Sequence, residues 1–443
     1  MTATENSAPG TAAPGTAAGS EAAALAQVPA ASELLKKSWK VPIALGIFAL
    51  IAIVLFIVLG RDGESTFSFS DRGPKAVQLP LIPLAARSMG ISIAILCTAM
   101  AALSVYGVSR LRRIPIWYVA LFAFLWLLGF LVWATAGHTL PITGLLSGTL
   151  ALSVPLIFGA LGGVISERVG VVNVAIEGQM LAGAFVSAIV ASITQSLILG
   201  VIASMLAGVL VSFVLAAFSI KYLVDQVIVG VVLNVLVLGL TSFLFSAFVA
   251  SSSTINTPPV FQPIPIPGLS EIPVLGPVLF KQTAVVYLMF IAVAAVYVGL
   301  FHTRWGLRLR AVGEHPQAAD TVGINVNRSR FWNVALAGAV AGLGGAYFTL
   351  GSVGSFSKGM TSGAGFIALA AVIFGRWDPI RATLAALLFG FASNLQNVLG
   401  ILGSPVPSAF MLMLPYLVTI FAVAGLVGQA RGPAASGKPY LKG

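Results

Sequence analysis

The sequence predicts an all-α polytopic membrane protein with about 12 transmembrane helices, within a range of about 10–12. Three observations carry that expectation. Of 443 residues, 58% are hydrophobic and only 8% are Asp, Glu, Lys or Arg, where an ordinary soluble domain carries roughly 25% charged residues. Apolar runs of about 20 residues, the length that crosses a hydrocarbon core, recur along the chain. The few charges fall between those runs. A water-soluble enzyme of this size could not cover its surface with so few charges. The single cysteine, Cys97, lies inside an apolar run and leaves no disulfide framework. His138, His302 and His315 are far apart with no ligand spacing, so no metal site is expected.

Residues 1–33 are dominated by Ala, Gly, Thr, Ser and Pro, with no aromatic and no basic residue. Such a segment cannot bury enough apolar area to offset its ordering entropy, and a disordered cytoplasmic tail is expected. Residues 34–139 hold three predicted spans, at 41–59, 84–108 and 115–136. A core over 140–430 holds the others, at 143–165, 171–193, 198–220, 226–250, 283–302, 331–350, 362–375, 380–400 and 409–427. The stretches 171–193 and 362–375 are candidates for broken or re-entrant segments. Residues 431–443 form a cytoplasmic C-terminal tail.

Placing the amino terminus in the cytosol puts eighteen of the 24 Lys and Arg on the inner side, as the positive-inside rule requires. The basic excess of +11 thus reads as contact with membrane lipids and not with nucleic acid. Trp39, Trp117, Tyr118, Tyr222, Trp305, Trp332 and Trp377 fall at predicted cytoplasmic boundaries, where amphipathic rings settle. The outer loop 251–282 is rich in proline and is expected to be stiff and extended. The inner loop 303–330 contains Pro316 followed by Gln317-Ala318-Ala319-Asp320-Thr321-Val322 and then Gly323. Pro at a first helical position and Gly past the end delimit a short helix. Its apolar face must pack on the protein's own spans or on a partner.

Gln317-Ala318-Ala319 followed by Gly323 resembles the EAA-x-x-x-G signature of ABC-importer permeases, with Gln where the signature has Glu. The stretch GLRLRAVGEHPQAADTVGIN resembles the binding-protein-dependent family of branched-chain amino-acid, simple-sugar and nucleoside permeases. SERVGVVNVAIEGQMLAGAF (166–185), GAGFIALAAVIFGRWDPIRA (363–382) and GPAASGKPY (432–440) match its nucleoside and simple-sugar branch. The resemblance covers about residues 140–443 and leaves the first three spans without a function. It implies a permease subunit of an ATP-driven importer for nucleosides or a related simple sugar in a bacterial cell membrane, both termini cytoplasmic. It further implies an ABC ATP-binding subunit carrying ATP and Mg, a second homologous permease subunit, and an extracytoplasmic substrate-binding lipoprotein. Gly313, Glu314, Ala318, Ala319 and Gly323 are then the expected contacts to the ATPase. Gly432-x-x-x-x-Gly437-Lys438 has the spacing of a phosphate-binding loop, but Pro439 stands where Ser or Thr would hold magnesium. No cofactor is therefore expected on this chain, and ATP hydrolysis belongs to a separate subunit.

Glu177 and Asp225 read as the only carboxylates in or close to spans. A charge at the bilayer centre costs about 2.5–3.5 kcal/mol on insertion scales, so Glu177 needs a partner or a wet cavity. With Asn173 and Gln179 it forms a polar group some six residues into its span. That group either lines the solute path or satisfies unwound backbone. Asn234, and Asn394 with Asn397 at i, i+3, are further candidates for the path. Asp225 reads as interfacial, paired with Lys221 at i, i+4 if helical. Gly159-xxx-Gly163 and Gly338-xxx-Gly342 favour close helix packing, and the echo of GALGG in AGLGG hints at an inverted repeat. Two rival readings stand beside the importer: an ion-coupled secondary transporter or channel, and a family member importing branched-chain amino acids.

Overall fold

The computed structural model describes residues 39–70, 79–110, 114–250, 252–404, 406, 407, 410, 413 and 432–441. Ten helices among the described residues are long and apolar enough to cross a membrane. In chain order they are α1 (Lys40–Val58), α2 (Ala86–Ser109), α3 (Ile116–Ala134), α4 (Ile142–Arg168), α5 (Ile176–Thr194), α6 (Leu197–Lys221), α7 (Gln226–Val249) and α8 (Ala284–His302), then two further on. Between α8 and the next span lie two short helices, α9 (Arg304–Glu314) and α10 (Pro316–Thr321). The bundle then continues with α11 (Val326–Val353), the short α12 (Ala364–Phe374) and α13 (Pro379–Ile401). The fold is all-α and polytopic, with ten long spans and one short apolar helix among the described residues, within the range of about 10–12 spans that the sequence predicts. The span expected at 409–427 lies almost wholly outside the described residues.

Among the described residues, side-chain caps start five of the thirteen helices. Asp225 accepts from the Val227 and Ile228 amides at the start of α7, and Asp378 accepts from the Arg381 amide ahead of Pro379 in α13. Thr303 and Asn325 do the same for α9 and α11. Asp225 is thus a cap, and the expected helical pair with Lys221 does not form because α6 has already ended there.

The centre is built from α4 and α11, where 83% of each apolar stretch is buried, against 28% for α1, α3 and α8. Small residues let these helices touch backbone to backbone, which replaces hydrophobic driving force as the main glue within lipid. A Cβ on Gly162 would lie 2.6 Å from the Ala337 carbonyl oxygen, and one on Gly344 3.0 Å from that of Pro155. Those pairings run α4 and α11 antiparallel. Gly159 and Gly163 face Ala368 and Val372, so α4 and α12 run parallel. Gly338 and Gly342 meet Gly208 and Ser204, so α11 and α6 are antiparallel. All three directions agree with the alternating path assumed from the charges. Both small-residue pairs have found partners.

The amino-terminal spans form a second apolar cluster around Phe56, Ile93, Cys97 and Val132, which reaches the core at Leu145, Leu395 and Leu399. A feature absent from the sequence reading joins the two parts. Strand β1 (Glu64–Ser68) pairs antiparallel with β2 (Ile82–Ala85) and parallel with β3 (Thr139–Pro141). The proline-rich loop between α7 and α8 carries its own small ladder, Ile264–Pro265 against Lys281–Gln282.

Candidate functional site

The stretch 171–193 is broken, because residues 169–175 are not helical and α5 begins at Ile176. Glu177 therefore sits in the first turn of α5 and not six residues inside a helix. Its carboxylate faces the start of α12, whose N-cap is Gly363 at φ 84° with no side-chain cap of its own. Glu177 Oε1 accepts from Thr361 Oγ1 at 2.7 Å and the Gly363 amide at 2.8 Å, while Oε2 accepts from the Gly365 amide at 2.6 Å. A carboxylate before helix N-termini opposes their positive dipole ends and satisfies orphan N–H groups. Gly365 is required by contact, since a Cβ there would overlap the Glu177 backbone. With 11 residues in α12, at 1.5 Å rise, the junction lies roughly 16 Å from that helix's far end, about half a bilayer.

The neighbouring polar groups complete the break. Asn234 Oδ1 accepts from the Gly178 amide at 2.8 Å, and its Nδ2 donates to the Val174 carbonyl at 2.8 Å. Asn173 and Gln179 bond each other side chain to side chain, and Gln179 Nε2 donates to Ser212 Oγ on α6. Gln226 Oε1 accepts from the Val172 amide at 2.7 Å. Four of the predicted path residues, Asn173, Glu177, Gln179 and Asn234, therefore meet in one place: Glu177 and Asn234 hold backbone that no helix ladder satisfies, and Asn173 and Gln179 satisfy each other and Ser212. Asn394 does not join them: it donates to the Leu145 carbonyl on α4 at 2.7 Å. Asn397 is exposed on α13, so the two do not share a buried face.

A second cluster occupies the other end of α4. Helix α9 folds back on α8, because a side chain on Gly306 would strike the Gly299 and Leu300 carbonyls. Gly313 at its end abuts the Arg168 carbonyl and leaves no room for a Cβ. Helix α10 starts at Pro316 and is closed by Gly323 at φ 85°. Glu314, Ala318 and Gly323 are exposed, whereas Gly313 and Ala319 are turned inward. The surface open to a partner is thus Glu314, Gln317, Ala318 and Val322, the last 74% exposed.

Residues 432–441 cross this end like a strap. The Ala435 amide donates to the Gly313 carbonyl at 2.9 Å, and the Ala434 amide to Glu314 Oε2 at 3.2 Å. Arg330, 2% exposed, donates to the Lys438 carbonyl at 2.9 Å. The Tyr440 phenol pKa is raised by burial and by its hydrogen bond to Asp320 on α10 together with that residue's charge. Gly432-x-x-x-x-Gly437-Lys438 is spent on these contacts.

Sequence reasoning passed over Glu167 as a span carboxylate. It is buried in α4 and accepts from the Trp377 indole N–H. Trp377 is consequently no interfacial ring. With Arg376 it forms a left-handed turn between α12 and α13, at φ 54° and 55°, and its carbonyl accepts from Arg168 Nε at 2.8 Å. A pair of consecutive non-glycine left-handed residues costs roughly 1–2 kcal/mol each, which these two bonds offset. The only prior signal was that Glu167 and Trp377 both lie inside stretches that carried the resemblance.

A multi-spanning bundle with a broken span braced by a short apolar helix, and a further short helix presented at one end, is the architecture of a membrane permease subunit. The chain belongs to the branched-chain amino acid transport system / permease component family, which matches residues 145–423. It is 43% identical over 306 residues to a guanosine ABC transporter permease protein (NupQ) of Bacillus subtilis, covering 67% of this chain and 95% of that one. To a nucleoside ABC transporter permease protein (NupC) of Lactococcus lactis it is 41% identical over 310 residues, covering 67% and 96%. To a putative glucose ABC transporter permease protein (TsgC13) of Haloferax volcanii it is 38% identical over 253 residues, covering 57% and 77%. No solved structure matches the chain.

Proposed function

We propose that this chain is the translocation subunit of an ATP-driven importer for nucleosides, working by alternating access with α10 as its coupling helix. The observation that carries the reading is α10 itself. A six-residue helix fixed by Pro316 and Gly323 projects Gln317, Ala318 and Val322 away from the bundle. The strap ties it to α11 through Tyr440 with Asp320 and Arg330 with Lys438, and α9 abuts α4 where Gly313 meets the Arg168 carbonyl. A push on α10 is thereby delivered to the helices that pack directly on the α5–α12 junction. Asn173, Glu177, Gln179 and Asn234 pin that junction together, and in this reading the solute path runs beside it with Asn394 and Asn397 towards its outer end. The proposed partners are an ATP-binding subunit carrying ATP and Mg, a second similar permease, and a lipid-anchored binding protein outside. The nucleoside assignment rests on the guanosine and nucleoside permeases among the relatives.

An ion-coupled mechanism is disfavoured because both oxygens of Glu177 are engaged by helix-start donors. The test is uptake of labelled guanosine by cells whose ion gradients are collapsed while ATP is held up. Uptake is expected to persist, and Ala318→Trp is expected to abolish it and to reduce ATPase co-purification at least about tenfold without loss of membrane insertion. Solute accumulation by vesicles holding this polypeptide alone would overturn the reading.

A further inference from the structure

Beside α10 lies a groove of about 620 Å³ that shares Val322 and Gly323 with the coupling surface and extends away from it along α11. Its charged mouth is made by Arg308 on α9 and Arg328 on α11, and it runs along α11 to Trp332 and Leu336. The floor is fixed. Trp305 Nε1 donates to Asn333 Oδ1 at 3.0 Å, and Asn333 Nδ2 donates to the Ser329 carbonyl at 2.7 Å. Arg308 and Arg328 are exposed, and among the described residues neither guanidinium has a hydrogen-bond or ion-pair partner. Trp332 is 58% and Leu336 42% exposed. The gradient along the groove, from two free guanidinium groups through two indole rings to bare aliphatic surface, is the polarity profile of one phospholipid seen edge-on.

We propose that this groove binds an anionic phospholipid of the cytoplasmic leaflet, its phosphate between Arg308 and Arg328 and an acyl chain along Trp332 and Leu336. The placement rests on the cytoplasmic side assigned to residues 303–330. Guanidinium forks suit phosphate oxygens, and each arginine is worth about fivefold in affinity for an anionic surface. The occupant would sit against Val322, Gly323 and Ile324, at the exit of α10. The coupling helix would then be braced by lipid on one flank and by the carboxyl-terminal strap on the other.

The experiment is native mass spectrometry of the full chain in mild detergent, with phosphatidylglycerol or phosphatidylcholine of identical acyl chains as probes. Wild-type protein is expected to retain phosphatidylglycerol about 25-fold better. Arg308→Gln with Arg328→Gln is expected to erase that preference, and the double Lys variant to keep most of it. Trp332→Ala is expected to weaken both lipids alike. An undiminished preference in the double Gln variant overturns the proposal. So does equal displacement by inorganic phosphate at millimolar concentration, which would make this a free-anion site. Loss of the ATPase with lipid preference intact would assign the groove to subunit docking and overturn it too. Thiol labelling of Ala318→Cys from outside intact cells tests the cytoplasmic placement separately, so failure of that reading is told apart from failure of the lipid site.

Discussion

Glu177 shows how one carboxyl group can serve two helices. It lies in the first turn of α5, where a negative charge is favoured by the dipole, and accepts three hydrogen bonds at the start of α12. Glu177→Ala leaves the Gly363 and Gly365 amides and the Thr361 hydroxyl without their acceptor. The cost is on the order of 2–5 kcal/mol in total, so the detergent-solubilised protein should melt several degrees lower. Glu177→Gln, which turns one acceptor into a donor, should fall between. Size-exclusion chromatography after heating reads both. Full thermal stability in the Ala variant combined with lost uptake would show that the carboxylate serves the solute and not the helices. The importance of Glu177 was legible in the sequence because a lone acid in an apolar run needs a partner. The partners were not legible: they are the Thr361 hydroxyl 184 residues away and backbone amides 186 and 188 residues away, and α12 begins on Gly-Ala-Gly with no capping side chain to announce it. Glu167 was missed for the same reason, since its partner Trp377 looked like an ordinary boundary ring.

At the scale of elements, the glycines separate packing from propensity. Gly338 in α11 has no space for a Cβ, which would overlap Ser212 Oγ and the Gly208 carbonyl, whereas Gly239 in α7 has nothing within 4 Å. Gly338→Ala should therefore force α6 and α11 apart, destabilising by about 1–3 kcal/mol or more. Gly239→Ala should be neutral or stabilising by up to about 1 kcal/mol through helix propensity. The check is the melting temperature of the two variants measured side by side; equal shifts would refute the close-packed seam. The pairs Gly159-xxx-Gly163 and Gly338-xxx-Gly342 were readable from spacing alone, but which helices they join was not, because spacing carries no partner. Helix α10 was readable through Pro316 and Gly323. Helix α9 was not read although Gly306, Leu309, Val312 and Gly313 mark its buried face, because its many arginines looked like loop charge.

For the whole molecule, charge placement gave the order and alternation of the spans, and the helix directions set by glycine contacts agree with it. The three amino-terminal spans are a different matter. The family match begins at residue 145, and the junction, α10 and the strap all lie beyond it. The extension meets the core through apolar contacts at Leu145, Leu395 and Leu399, through β1 paired with β3, and through Thr143 Oγ1 donating to the Phe69 carbonyl at 2.8 Å. In water, removing such a partner would expose apolar surface at roughly 25 cal/mol per Å². In a bilayer, lipid tails cover the same surface, and only close packing and the few polar contacts are lost. A chain lacking residues 1–138 is therefore expected to insert, to retain its partner subunits, and to import guanosine within about threefold of the full-length protein, with a lower melting temperature in detergent. Uptake and co-purification by the truncated chain in the same cells decide it. If the truncated chain is stable in the membrane but assembles with nothing, the extension is a docking element for the complex and the core does not work alone.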